Sequence, residues 1–251
     1  MDIVVCVKQI YDLDQIRIKK ETREPILEGV PFKLSDMDRN ALEEAIRIKE
    51  KNGARIVVVS AGFLKVRETI KGALAMGADE AVVVTDFAGD SSVASDVLAT
   101  LIRPMATNLI LCGEGSSDNY SGQVPPRLAE SLGLPCITFV RELSLEGTKV
   151  KAKRDLEDCF EIVETEMPCV VSVTSEINEA RLPSLTQILK ASKKPIREMK
   201  MVECGTFSKS LESVENLAPA TERKNIILEG GAAETAEQFV RSLEKEGVFN
   251  V

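Results

Sequence analysis

Apolar residues come in short unbroken blocks rather than in alternation: residues 2–8 (Asp-Ile-Val-Val-Cys-Val-Lys), Ile56 to Ser60, Glu80 to Val84 and Leu109 to Cys112. Blocks of this length and continuity are the pattern of strands buried on both faces, as in parallel sheets. Between them the period changes to that of a helix. Asn40 to Lys51 places Ala41, Leu42, Ala45, Ile46 and Ile48 on one face. Val66 to Met76 follows, with Gly77 placed to close it. Ser91 to Arg103 and a run from Arg127 to Leu132 complete the set. Four strand–helix alternations predict an α/β fold with a mostly parallel, doubly wound sheet and right-handed crossovers. The polar stretch from Tyr11 to Glu28 is expected to form a hairpin, with Ile16-Arg17-Ile18 as one arm. Ser35 and Asp38 are expected to cap the first long helix.

Beyond Ile137 the pattern differs. Ile137 to Leu145, Lys149 to Arg154 and Cys159 to Glu166 read as added antiparallel strands, and Pro168 to Val173 as one more buried strand, making the sheet mixed. Pro183 to Lys194 reads as a short amphipathic helix, with the Lys193-Lys194 pair as solvated surface. Met199 to Ala220 has weak periodicity, and Ala233 to Glu246 reads as a terminal helix. The expected organisation is one α/β domain over residues 1–200 and an extended C-terminal arm over 201–251, which packs on a partner chain.

The segment with the most chemistry follows the fourth strand: Gly113-Glu114-Gly115-Ser116-Ser117-Asp118-Asn119-Tyr120-Ser121-Gly122-Gln123. Glycines, hydroxyls and one Asp between a strand and a helix place a polar loop at a strand's carboxyl end, where open α/β sheets bind ligands. Helix-start amides and small side chains there suit a phosphate. Neither a GxGxxG nor a GxxxxGK[ST] pattern is present.

Composition narrows the chemistry. The 251 residues are 44% hydrophobic and 29% charged, with a formal net charge of -8. That balance supports a substantial core and argues against a nucleic-acid surface. With no histidine, the commonest general base and metal ligand is missing. The six cysteines, Cys6, Cys112, Cys136, Cys159, Cys169 and Cys204, form no CxxC pair, and those within apolar runs read as buried reduced thiols. Met1-Asp2 leads directly into the first strand, and no apolar run nears the roughly 20 residues of a membrane span. The expectation is a cytoplasmic protein.

Four segments together carry a resemblance: Val5-Cys6-Val7-Lys8; Asn40-Ala41-Leu42-Glu43-Glu44-Ala45; Glu68 to Asp79, with its Ala-Met-Gly-Ala-Asp ending; and Asn178-Glu179-Ala180-Arg181-Leu182-Pro183-Ser184-Leu185. The set resembles the beta subunit of electron transfer flavoproteins, from residue 1 to about 200. The resemblance implies an adenine-nucleotide-binding α/β fold and a heterodimer with an alpha subunit that carries the electron-transferring FAD. Ordinary members hold AMP in the beta chain. Electron-bifurcating members hold a second FAD there, which meets NADH. In these, one electron passes to a ferredoxin-like iron–sulfur acceptor and the other, through the alpha FAD, to a dehydrogenase or quinone-linked oxidoreductase.

By the same resemblance, the nucleotide-contacting positions fall on Cys6; on Ser35, Asp36, Met37 and Asp38; on Ala61; and on Ser117, Asp118, Asn119, Tyr120, Ser121, Gly122, Gln123, Val124, Pro125, Pro126, Arg127 and Leu128. Leu185 falls on the leucine that anchors the dehydrogenase partner, within a recognition segment at 176–195. Ordinary members carry Asn-Pro where this chain has Ser35-Asp36. Bifurcating members carry Asp-Gly-Asp-Thr and then Gln-Val-Gly-Pro, where this chain has Asp118-Asn119-Tyr120-Ser121 and Gln123-Val124-Pro125-Pro126. Leu156-Glu157-Asp158 and the run Ser175 to Glu179 are similar to the bifurcating branch, which favours FAD over AMP. A nucleotide-binding sensor of the universal-stress type is the alternative from another class; it predicts a homodimer without flavin.

Overall fold

The computed structural model describes residues 1–63, 65–220 and 224–248. In chain order its elements are β1 (Asp2–Cys6), β2 (Gln9–Tyr11), β3 (Arg17–Ile18), β4 (Pro25–Ile26), β5 (Phe32–Leu34), α1 (Asp36–Asn52), β6 (Arg55–Ala61), α2 (Val66–Met76), β7 (Glu80–Val84), α3 (Ser91–Ile102), β8 (Leu109–Gly113), α4 (Val124–Leu132), β9 (Cys136–Glu146), β10 (Lys149–Asp155), β11 (Phe160–Glu166), β12 (Cys169–Val173), α5 (Leu185–Ala191), β13 (Ile196–Met199), α6 (Met201–Cys204) and α7 (Ala232–Lys245). One nine-stranded sheet has the order β11-β10-β9-β12-β8-β1-β6-β7-β13. Every pairing from β9 to β13 across this order is parallel; the β9–β10 and β10–β11 pairings are antiparallel.

The unbroken apolar blocks become strands because both faces of the sheet are covered. Ile3, Val5, Ile56 and Val58 join one buried cluster with residues of α1 and α2. Their sequence neighbours Val4, Cys6, Val57 and Val59 join a second cluster with α3 and α4. Alternate residues of each strand thus serve opposite cores, so no polar position is tolerated between them. Full burial of each such Val, Ile or Leu side chain contributes roughly 1.5–3 kcal/mol.

Two local readings change. The first helix begins at Asp36 rather than Asn40, and Ser35, at its N-cap position, makes no side-chain cap. Asp38 lies inside its first turn, and its carboxylate is turned toward the sheet. Lys194 is not a solvated surface lysine: its ammonium donates to the Leu74 and Ala78 carbonyls at the end of α2. The expected hairpin is present as β3–β4, with Arg17 and Ile18 in one arm, and a second antiparallel ladder, β2–β5, was not foreseen. β13 was not legible as a strand. Four residues carry too little pattern, and pairing along β7 supplies the structure.

Candidate functional site

The loops at the carboxyl ends of β1, β6, β7 and β8 enclose a cleft of about 370 Å³. Its size suits a small-molecule site. Cys6 and Ala61 line it at strand ends, and Gly113, Gly115, Ser116, Asn119, Ser121 and Gly122 line it from the loop after β8. The first turns of α3 and α4 add Ser91, Ala94, Val124 and Pro125. Of the expected nucleotide positions, Cys6, Asp38, Ala61, Asn119, Ser121, Gly122, Val124 and Pro125 face this space.

The other expected positions hold the walls. The Ser35 hydroxyl accepts from the Ser117 amide at 3.3 Å, and the Asp36 amide donates to Ser117 Oγ at 3.3 Å. This reciprocal pair ties the start of α1 to the loop after β8. Met37 stands against Gly113: a Cβ on that glycine would lie 2.8 Å from Met37 Cβ and 2.7 Å from Asp38 Oδ1. Only glycine lets the two elements approach so closely. Gln123 accepts from the Ser91 hydroxyl at 2.8 Å, joining the starts of α3 and α4. Tyr120 adopts φ 44°, and its hydroxyl donates to Glu114 Oε1 at 2.7 Å. That hydrogen bond and burial push the phenol up to about 12. Pro126 and Arg127 are exposed on α4, and Leu128 is fully buried in the core.

Asp38 is the buried acid of the site. Its two oxygens accept from the Lys8 amide at 2.8 Å and the Gly113 amide at 3.2 Å. Burial raises it to about 7, against the two amides, which favour the charged form. Beside it the Cys112 thiol, in contact with Cys6 and buried, is held well above its ordinary range. Both cysteines are free.

Several lining residues were not nominated by the sequence: Lys8, Phe63, Phe87, Asp90 and Ser91. Lys8 donates to both Asp118 oxygens at 2.7 Å and to Ser116 Oγ at 3.2 Å. Asp90 caps α3 through the Ser92 and Val93 amides. The signal that could have found them is topological. In a parallel sheet every loop after a strand opens on the same edge, so the loops after β1, β6 and β7 belong with the one after β8.

A second surface lies on the α1 side. Arg181 forks onto Glu43 at 2.8 and 3.0 Å and also reaches Glu50. Burial alone would raise Glu43; Arg181 and Arg47 more than reverse this and leave it below the ordinary carboxylate range. Asn178 donates to Glu44 and to the Asn40 carbonyl, and Asn40 donates back to the Asn178 carbonyl. α5 follows this segment and packs on α2, with a reciprocal cap between Ser184 and Gln187. Leu182, Leu185 and Leu189 around it are 81%, 74% and 67% exposed.

The electron transfer flavoprotein domain family matches residues 26–203. The chain is 36% identical to the electron transfer flavoprotein subunit beta of Thermoanaerobacterium thermosaccharolyticum, over 99% of this chain and 100% of that one. It is 34% identical to the subunit beta of Bacillus subtilis, over 98% of each. It is also 36% identical to subunit CarD of the caffeyl-CoA reductase-Etf complex of Acetobacterium woodii, over 78% of this chain and 77% of that one. With a mostly parallel α/β sheet and matches that run nearly end to end, the chain belongs to the electron transfer flavoprotein family, as a beta subunit.

Proposed function

We propose that this beta subunit, paired with an alpha subunit, holds the adenine-nucleotide part of a second FAD in the cleft and serves NADH-linked electron bifurcation. The observation that carries the reading is the cleft itself, formed where four strands end and two helices begin. Its lining fits a dinucleotide: Ser121 offers a hydroxyl, Ser91 and Ser116, whose protons go to Gln123 and Asn119, add polar oxygens, and no bulky side chain at Cys6, Ala61, Gly113 or Gly115 holds the ligand away. When bound there, the flavin supplies the two-electron acceptor chemistry that NADH requires. The residues of this chain orient it and shape its surroundings. Tyr120 orders the loop through Glu114, and Gln123 fixes the helix starts around it. Leu185 and the exposed leucines beside it offer the dehydrogenase an apolar anchor on a rigid footing. A ferredoxin-like protein takes the other electron. The similarity to a subunit of the caffeyl-CoA reductase-Etf complex supports this branch.

AMP in the same cleft is the second reading. It is favoured by Pro125, which stands where the bifurcating pattern has Gly. Counting cofactors in the purified heterodimer decides between them. Two FAD per heterodimer supports the proposal; one FAD with one AMP refutes it.

A further inference from the structure

We infer that Lys8 is a phosphate-binding residue of the cleft, and that Asp118 holds its ammonium until a nucleotide phosphate takes it over. The inference rests on the proposal that the cleft takes an adenine nucleotide, and adds to it the group that neutralises the phosphate charge.

The charge inventory comes first. Among the described residues lining the cleft, Lys8 is the only cation, against the carboxyls of Asp38, Asp90 and Glu114. A phosphate dianion entering this space meets repulsion from every charged neighbour except Lys8. The usual substitute for a cation is a helix N-terminus, whose free amides donate to phosphate oxygens. At α4 that resource is reduced: Pro125 and Pro126 occupy its second and third positions, and neither has an amide hydrogen. A side-chain charge must therefore do more here than in a loop with ordinary residues at these places.

Geometry supplies it. Lys8 follows β1, and its backbone amide is fixed by Asp38 at 2.8 Å. From there its side chain spans to the loop after β8, where the ammonium meets Asp118 and Ser116 at the wall of the cleft. The pair is 39% and 33% exposed, so it is screened and weak enough to exchange. An ammonium is a compact charge with three rotatable donors, able to re-aim without moving its backbone. A phosphate offers more charge and more acceptor oxygens than the carboxylate it displaces. Asp118 is then a resting counter-ion, neither a ribose nor a phosphate contact.

The test is calorimetric titration of the heterodimer, after removal of bound nucleotide, with adenosine and with AMP. The wild type is expected to bind AMP more tightly than adenosine. Lys8→Met should weaken AMP by about ten- to a hundred-fold, the worth of a hydrogen bond to a charged group, while adenosine changes less than about twofold. Asp118→Asn, which removes the competing anion and keeps the side-chain size, should bind AMP at least as tightly as the wild type. Unchanged AMP affinity in Lys8→Met overturns the assignment, and so does an equal loss for both ligands, which would make Lys8 a structural tie. Several-fold weaker AMP binding in Asp118→Asn also overturns it. If the wild type binds neither ligand, it is the nucleotide reading of the cleft that fails.

Discussion

Asp38 joins two neighbouring strand ends with one carboxylate, accepting from the Lys8 amide beyond β1 and the Gly113 amide of β8. Burial raises it from 3.8 to about 7. A group whose folded value is raised stabilises the fold fully below its unfolded value and loses that contribution as pH rises through the folded value. The window for Asp38 is thus from about pH 4 to about pH 7. Asp38→Asn carries no titrating group, so the difference in melting temperature between wild type and variant isolates the effect. The margin in favour of the wild type should be largest near the acid end of that window and shrink toward neutrality. A margin that grows with pH would show that the two amides dominate over burial. This residue also marks the limit of sequence reading. Ser35 and Asp38 stand where helix caps are expected, and local pattern assigned them to α1. Their actual partners, Ser117, Lys8 and Gly113, are tens of residues away in sequence and meet them only through the sheet.

At the scale of elements, the legible features were those with a strong period. α2 and β7 match the expected limits residue for residue, since each has an apolar pattern bounded by a glycine or a charged turn. α5 was legible as a helix but not as a platform. It packs on α2, and the segment leading into it is held by Asn178 and Arg181 meeting Asn40, Glu43, Glu44 and Glu50 on α1. Two predictions separate the platform from the anchor. Leu185 is 74% exposed, so Leu185→Ala should leave the melting temperature unchanged while partner-dependent electron transfer weakens by about 1–3 kcal/mol, roughly five- to 150-fold in apparent affinity. A core leucine would instead lose about 2–5 kcal/mol of folding stability. Arg181→Ala should do the reverse in part. It leaves Glu43, whose side chain is 3% exposed, with Arg47 alone, so stability falls. Amide exchange across 178–184 should rise in that variant, while flavin content stays constant. Unchanged exchange there would mean that the segment leading into α5 is held by other contacts.

For the whole molecule, the decisive question is what the C-terminal segment does beyond the sheet. Phe207 packs on the α3–α4 side of the core, and Asp90 at the cleft wall accepts from the Ser210 and Leu211 amides while it caps α3. These contacts bind the first part of the arm to the domain. α7 is different: none of its residues is buried, yet Ala236, Phe239, Val240 and Leu243 recur at helical spacing, with Phe239 and Val240 52% and 46% exposed. An amphipathic helix with its apolar stripe uncovered lacks the packing that stabilises most helices. We propose that the alpha subunit covers it. Two truncations then behave differently. Ending the chain after Leu228 removes α7 without removing a buried side chain, so the core should melt within a few degrees of the full-length chain. Affinity for the alpha subunit, measured by calorimetry, should fall by at least tenfold, about 1.4 kcal/mol. Ending it after Gly205 also removes Phe207 and the amides held by Asp90, so the core itself should melt lower. A shorter cut that destabilises the domain as much as the longer one would place α7 in the core, and full affinity for the alpha subunit without α7 would remove it from the interface.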